Sequence, residues 1–223
     1  TASKPRLYVM NKADLADPAL TKAWQVYFRA AGAGCVAISA KQKGSAGQVR
    51  SAIEAELREL LEKRAGKGMA GARIRVMVVG IPNVGKSTFI NYDLLDMPGV
   101  LWKKFDSLET ATNLAFIGSI KDDILDIEEL AMGLVAQMQT VYPDRLAQRY
   151  KLSEQQVTEL GPWELVEAIG RARGMLVSGG EVNTERAAIM LVDEFRASKW
   201  GRITLETPPR REEQQDGNEQ PSV

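Results

Sequence analysis

The chain has 223 residues, of which 44% are hydrophobic and 26% charged. That composition excludes a disordered chain and provides for one domain of about 150 residues with a smaller second one. Its 29 basic and 29 acidic residues cancel, so bulk charge gives no reason to expect an unaided polyanion binder, and any RNA contact must come from a local patch. Histidine is absent, which excludes Ser/His and Cys/His catalysis and His-ligated metals within these residues. The lone Cys35 forms no internal disulfide, and no stretch approaches the roughly 20 apolar residues that span a bilayer. The chain opens at Thr1 with no charged-then-apolar leader, so the expectation is no secretory signal, no membrane and a cytoplasmic location.

Leu7 to Met10 reads as a short buried strand that ends in Asn11-Lys12-Ala13-Asp14. Asp17 followed by Pro18 predicts a capped helix carrying Trp24, Tyr27 and Phe28 and closed by Gly32 or Gly34. Cys35 to Ile38 is a second strand, running into Ser39-Ala40-Lys41. Ile53, Leu57, Leu60 and Leu61 then mark one face of a helix. Ile74 to Val79 is a third strand and feeds directly into Gly80-Ile81-Pro82-Asn83-Val84-Gly85-Lys86-Ser87-Thr88. Strands alternating with helices predict a parallel sheet with helical crossovers. From Gly118 to Glu206 the periodicity is helical throughout, with stripes at Ile127, Leu130, Leu134 and Met138, at Leu165, Val166 and Ile169, and over Ala187 to Phe195. Residues 207–223 carry prolines and charges and no apolar face, the pattern of a solvated tail.

Gly80 to Ser87 fits G-x-x-x-x-G-K-S directly after a strand, where backbone amides can wrap a phosphate. Pro82, Asn83, Val84, Gly85 and Thr88 belong to that cradle. Lys86 would reach the β- and γ-phosphates and Ser87 would ligate Mg²⁺. In Asp96-Met97-Pro98-Gly99 the aspartate can hold Mg²⁺, and the Gly99 amide can meet the γ-phosphate, which makes Lys86 and Gly99 the candidate catalytic groups. Within Asn11-Lys12-Ala13-Asp14, the Asp14 carboxylate matches guanine N1 and N2, whereas adenine offers no such donors. Lys12 is expected along the base and ribose, and Asn11 is expected to tie its loop to the phosphate loop. Ser39-Ala40-Lys41 would supply the Ala40 N–H to guanine O6. The cofactors implied are GTP or GDP and Mg²⁺.

The order of these motifs is base-reading loops first, phosphate loop next and Asp-x-Pro-Gly last, whereas ordinary Ras-like GTPases run phosphate loop first and base-reading loops last. The chain therefore resembles a circularly permuted GTPase. The run Arg173-Gly174, Gly179 to Val182, Arg186 to Ala188, Asp193 to Arg196 and Gly201 to Glu206 resembles the bacterial ribosome-biogenesis GTPases of the RbgA/YlqF type, and the likeness covers nearly all of residues 4–206. It implies an α/β fold: a circularly permuted Ras-like P-loop GTPase domain over residues 1–117, with a parallel-rich sheet and flanking helices. An all-α C-terminal domain over 118–206 and a disordered tail over 207–223 complete it. It also implies a monomeric switch in late assembly of the large (50S) ribosomal subunit, which docks through its helical domain in the GTP form and leaves after hydrolysis.

The chain departs from that pattern in places. Only seven residues lie between Thr88 and Asp96, too few for a helix and the return to a parallel neighbour, so a segment carrying the switch threonine is expected to be missing. The resemblance also implies an N-terminal segment with a histidine that assists hydrolysis, and that segment is expected to be absent here. Val100 stands where Ras-like enzymes place a water-orienting glutamine, which predicts slow intrinsic turnover stimulated by the ribosomal subunit. Asn83 resembles the asparagine that ligates potassium in cation-activated GTPases. Residues 170–206 balance 6 Lys/Arg against 5 Asp/Glu while residues 119–169 hold 4 against 10. This makes Arg171, Arg173, Arg186, Arg196, Lys199 and Arg202 the candidate phosphate contacts to RNA. Two other readings are a nucleotide-gated rRNA-binding module whose hydrolysis is incidental, and an ATP-using P-loop enzyme.

Overall fold

The computed structural model describes residues 5–67, 76–85, 94–96 through their backbone, 107–121 and 124–209. Their contacts divide the chain into two units. One holds the elements before Val76 together with the segment returning from Thr204. The other holds Met77 through the phosphate-loop segment and then Leu94 to Ile203.

In the first unit, β1 (Leu7–Met10) pairs in parallel with β2 (Gly34–Ala37), in register from Leu7 opposite Gly34 to Met10 opposite Ala37. Between them runs α1 (Pro18–Ala30). Asp17 caps it by accepting from the Ala19 and Leu20 amides at 2.8 and 3.1 Å, with Pro18 in the first turn where no N–H is needed. The chain leaves α1 through Gly32 at φ +75°, a left-handed turn that glycine adopts without steric cost. Phe28 stacks on Tyr8 at 4.1 Å between ring centroids and on Trp24 at 5.6 Å, so α1 is held by an aromatic layer rather than by a fully buried face. The returning segment adds two bonds to the same helix: the Asp17 amide donates to Thr204 Oγ1 at 3.0 Å, and Trp24 Nε1 to the Glu206 carbonyl at 3.1 Å.

The helix expected through Ile53, Leu57 and Leu61 is two: α2 (Ser45–Glu56) and α3 (Arg58–Ala65). They meet at Leu57, whose ψ of 3° lies outside the helical well, so the axis turns there although the apolar spacing continues.

β3 (Val76–Val78), in the second unit from Met77 on, is paired with β4 (Leu94–Asp96). The helices are α4 (Leu108–Phe116), α5 (Ile127–Val141), α6 (Pro143–Tyr150), α7 (Glu154–Glu159), α8 (Pro162–Ala172) and α9 (Thr184–Arg196). Leu134, Met138, Leu146, Leu165, Ile169 and Leu191 are fully buried where α5, α6, α8 and α9 meet. Helices α8 and α9 approach closely at Gly170, where a Cβ would lie 2.5 Å from Val182 Cγ1 and 3.1 Å from Ala187 Cβ. Helical structure begins at Leu108, earlier than the periodicity suggested, and Leu176 forms an antiparallel bridge with Val182 inside the otherwise helical region.

Candidate nucleotide-binding site

The two loops expected to read the base leave the carboxyl ends of adjacent parallel strands, the edge at which open α/β sheets place ligands. They are bonded to each other. The Ala13 amide donates to the Ile38 carbonyl at 2.9 Å, and the Ala40 amide donates to Asn11 Oδ1 at 2.8 Å. Lys12 sits at φ +59°, and this left-handed residue turns the chain so that Asp14 follows within one tight loop, closed by the Leu15 amide on the Lys12 carbonyl at 2.9 Å. Ser39 is buried, Lys41 is exposed, and Ser45 Oγ donates to the Ala40 carbonyl at 3.4 Å. The Ala40 N–H expected for guanine O6 is thus given to Asn11 in this structure, and Asn11 joins its loop to Ser39-Ala40-Lys41.

In the second unit, the phosphate-loop segment follows β3. Asn83 at φ +59° and Gly85 at φ +89° curl it tightly, the kind of turn that directs successive amides to one side and suits an anion. Two contacts anchor it: Asn83 Nδ2 donates to the Gly118 carbonyl at 2.8 Å, and Ser119 Oγ donates to the Pro82 carbonyl at 3.2 Å. Lys86, Ser87, Thr88, Gly99 and Val100 lie outside the described residues, and Asp96 is described by its backbone in β4 alone. Among the described residues there is no group of three His, Cys, Asp or Glu that could hold a metal by itself. The Mg²⁺ ligands expected from the motifs, one serine and one aspartate, do not require such a group.

No family model matches the chain. Ribosome biogenesis GTPase A of Bacillus cereus is 36% identical to it over 92% of this chain and 78% of that protein, and the protein of the same name in Priestia megaterium is 35% identical over 95% and 82%. The chain belongs to the ribosome biogenesis GTPase A family. The GDP-bound structure of YlqF from T. maritima superposes on it with a TM-score of 0.61 at 25% identity, covering 91% of this chain and 83% of that one. The alignment with the Bacillus cereus member runs over 233 positions, more than the 223 residues of this whole chain, so that relative carries residues inside the matched span that this member lacks. Among the described residues, no helix is long and apolar enough to cross a membrane.

Two of the arginines expected to face RNA are engaged within this family member. Arg196 donates from Nε to the Phe116 carbonyl at 3.0 Å and from a terminal nitrogen to the Ala115 carbonyl at 2.8 Å. Arg173 stands 3.6 Å from Glu194 and 5.2 Å over the Tyr150 ring. Glu194 is the centre of a network that the sequence did not reveal. It accepts from Arg149 Nε at 2.9 Å and from Tyr150 Oη at 2.9 Å, and Trp200 Nε1 donates to that same phenol oxygen at 2.7 Å. The Arg149 bond, aided by Tyr150 and Arg173, holds the Glu194 carboxyl below the usual carboxylate range. Burial, reinforced by Glu194, pushes the Tyr150 phenol upward. Arg171, Arg186 and Lys199 remain exposed.

Proposed function

We propose that this chain is a GTP-binding and GTP-hydrolysing switch for late assembly of the large (50S) ribosomal subunit, docking on the pre-subunit in its GTP form and leaving after hydrolysis. The observation that carries the reading is the joining of Asn11 and Ala40, which fixes two guanine-type loops side by side at the carboxyl edge of a parallel strand pair. Family membership and the likeness to a GDP-bound structure support the nucleotide class.

In this reading Asp14 accepts from guanine N1 and N2, Lys12 covers the base, and Ser39-Ala40-Lys41 closes the far side with the Ala40 amide shared between Asn11 and the base oxygen. Leaving such buried partners unmet costs about 1–3 kcal/mol each, which rejects adenine. The amides of Asn83 to Thr88, in the loop that Pro82 opens, cradle the phosphates, and Lys86 and the Gly99 amide neutralise the charge that develops on transfer. Mg²⁺ held by Ser87 and Asp96 would add further neutralisation there. Asn83 would hold potassium through its Oδ1, since its Nδ2 is committed to the Gly118 carbonyl. The residues that the relatives carry in excess fall, in this reading, between Thr88 and Asp96, where the switch threonine belongs. The G domain spans 1–117 in circularly permuted order, a helical domain spans 118–206, and the tail is 207–223. The protein works as a cytoplasmic monomer, with Arg171, Arg186, Lys199 and Arg202 as the phosphate contacts on the subunit.

The test is GTP turnover measured with and without purified large ribosomal subunits, in potassium and in sodium. Stimulation by the subunit and by potassium is expected. Equal turnover in all four conditions would remove both the partner and the cation from the reading.

A further inference from the structure

We propose that, within the second unit, helices α4 and α9 set the shape of the phosphate loop through the turn that ends α4, with Ser119 and Arg196 as positioning residues. The inference rests on the nucleotide-site reading above and adds to it a connection from α9 to the loop. The turn itself has a specific geometry. Gly118 sits at φ +73°, its amide donates to the Ala115 carbonyl at 3.0 Å, and the Ser119 amide donates to the Leu114 carbonyl at 2.9 Å, the paired bonds of a Schellman cap.

Both residues of that cap then reach the phosphate loop. The Gly118 carbonyl takes the Asn83 amide, and the buried Ser119 hydroxyl, 4% exposed, donates to the Pro82 carbonyl. Arg196 supports the same cap from behind. It covers the last carbonyls of α4 with a guanidinium, the charge that a helix carboxyl end favours, and a Cβ at Gly118 would come within 3.3 Å of its Nε. A shift of α9 therefore moves Arg196 and the α4 cap, and with them the two bonds that hold Pro82 and Asn83. An ordinary core contact would not end on the polar atoms of a glycine-rich phosphate turn.

The experiment uses the full chain, a fluorescent GDP analogue, and unlabelled GDP and guanosine as competitors. Ser119→Ala is expected to weaken GDP about fivefold, the worth of one ordinary hydrogen bond, and to leave guanosine unchanged, so that the ratio of the two affinities falls. Arg196→Ala should lower the same ratio, and the double variant should fall no further than the stronger single one, because both act on one turn. If both variants keep the wild-type ratio, or if GDP and guanosine weaken together in step with a lower unfolding temperature, the proposal is overturned and the contacts are structural only. Should Arg196→Ala fail to fold, the Ser119→Ala ratio decides alone. Absence of GDP binding by the wild-type chain would instead sink the nucleotide-site reading on which the proposal stands.

Discussion

Glu194→Gln is the substitution whose consequence can be worked furthest from the structure. The carboxylate, 18% exposed, receives Arg149 through two nitrogens and Tyr150 through its hydroxyl, with Arg173 beside it. Glutamine keeps one accepting oxygen and turns an NH₂ toward these donors. Breaking a fully buried pair costs about 3–5 kcal/mol, but Arg149 and Arg173 are 32% and 34% exposed, and water can resolvate both guanidinium groups. The loss is therefore expected near 2 kcal/mol, which for a chain of this size lowers the unfolding temperature by about 4–8 °C. Thermal unfolding followed by far-ultraviolet circular dichroism measures it. The pH dependence is a second check. The Glu194 carboxyl is held below its ordinary value in the folded chain, so its contribution is complete above the unfolded value of about 4.3 and is lost as pH falls through the folded one. The gap between wild type and variant should thus close in acid and persist at neutral and mildly alkaline pH. A gap under about 0.5 kcal/mol at neutral pH, or one unchanged in acid, would refute the assignment of Glu194 as the electrostatic centre among α6, α8 and α9.

Other expected outcomes follow from single contacts. Gly170→Ala places a methyl 2.5 Å from Val182 Cγ1, and overpacking of this kind should cost about 1–3 kcal/mol in chemical denaturation, with no change in nucleotide affinity when measured on the folded protein. Asn11→Ala removes the acceptor for the Ala40 amide; guanine nucleotide affinity should fall by about tenfold in fluorescence titration, more than the fivefold of one lost bond because two loops are released together. Asp17→Ala removes the cap of α1, and the unfolding free energy should drop by about 1 kcal/mol. Asp14→Ala should lower GDP affinity while leaving affinity for inorganic triphosphate unchanged, and equal losses for both ligands would argue against Asp14 as a base reader.

Local signals were legible wherever chemistry repeats at short range. Leu7–Met10 is a strand over those residues, and Asp17-Pro18 opens α1 in the expected way, because a capping carboxylate and a proline act within one turn. The stripe of Leu130, Leu134 and Met138 is buried for the same reason. Apolar spacing cannot report backbone angles, so the break at Leu57 stayed hidden, and it cannot report short capped helices such as α4. The Glu194 network escaped because Arg149 and Tyr150 come from α6, Arg173 from the end of α8 and Trp200 from beyond α9, and they meet only through packing. Charge counting made the same error at Arg196: a cation in a balanced helix looks available for phosphate until the fold turns it onto the Ala115 and Phe116 carbonyls. At the site, the motifs named the loop residues, but only coordinates revealed that Asn11 holds Ala40 and that Asn83 holds Gly118.

The most direct measurement is competition. A fluorescent GDP analogue bound to the full chain in Mg²⁺ buffer is titrated with GTP and, separately, with ATP. GTP should displace it at concentrations close to those of GDP, while ATP should leave it bound at a hundredfold excess or more, the discrimination expected of paired buried hydrogen bonds at the base. Displacement by ATP at the same concentration as GTP would contradict a guanine-reading pocket built on Asn11, Asp14 and Ala40.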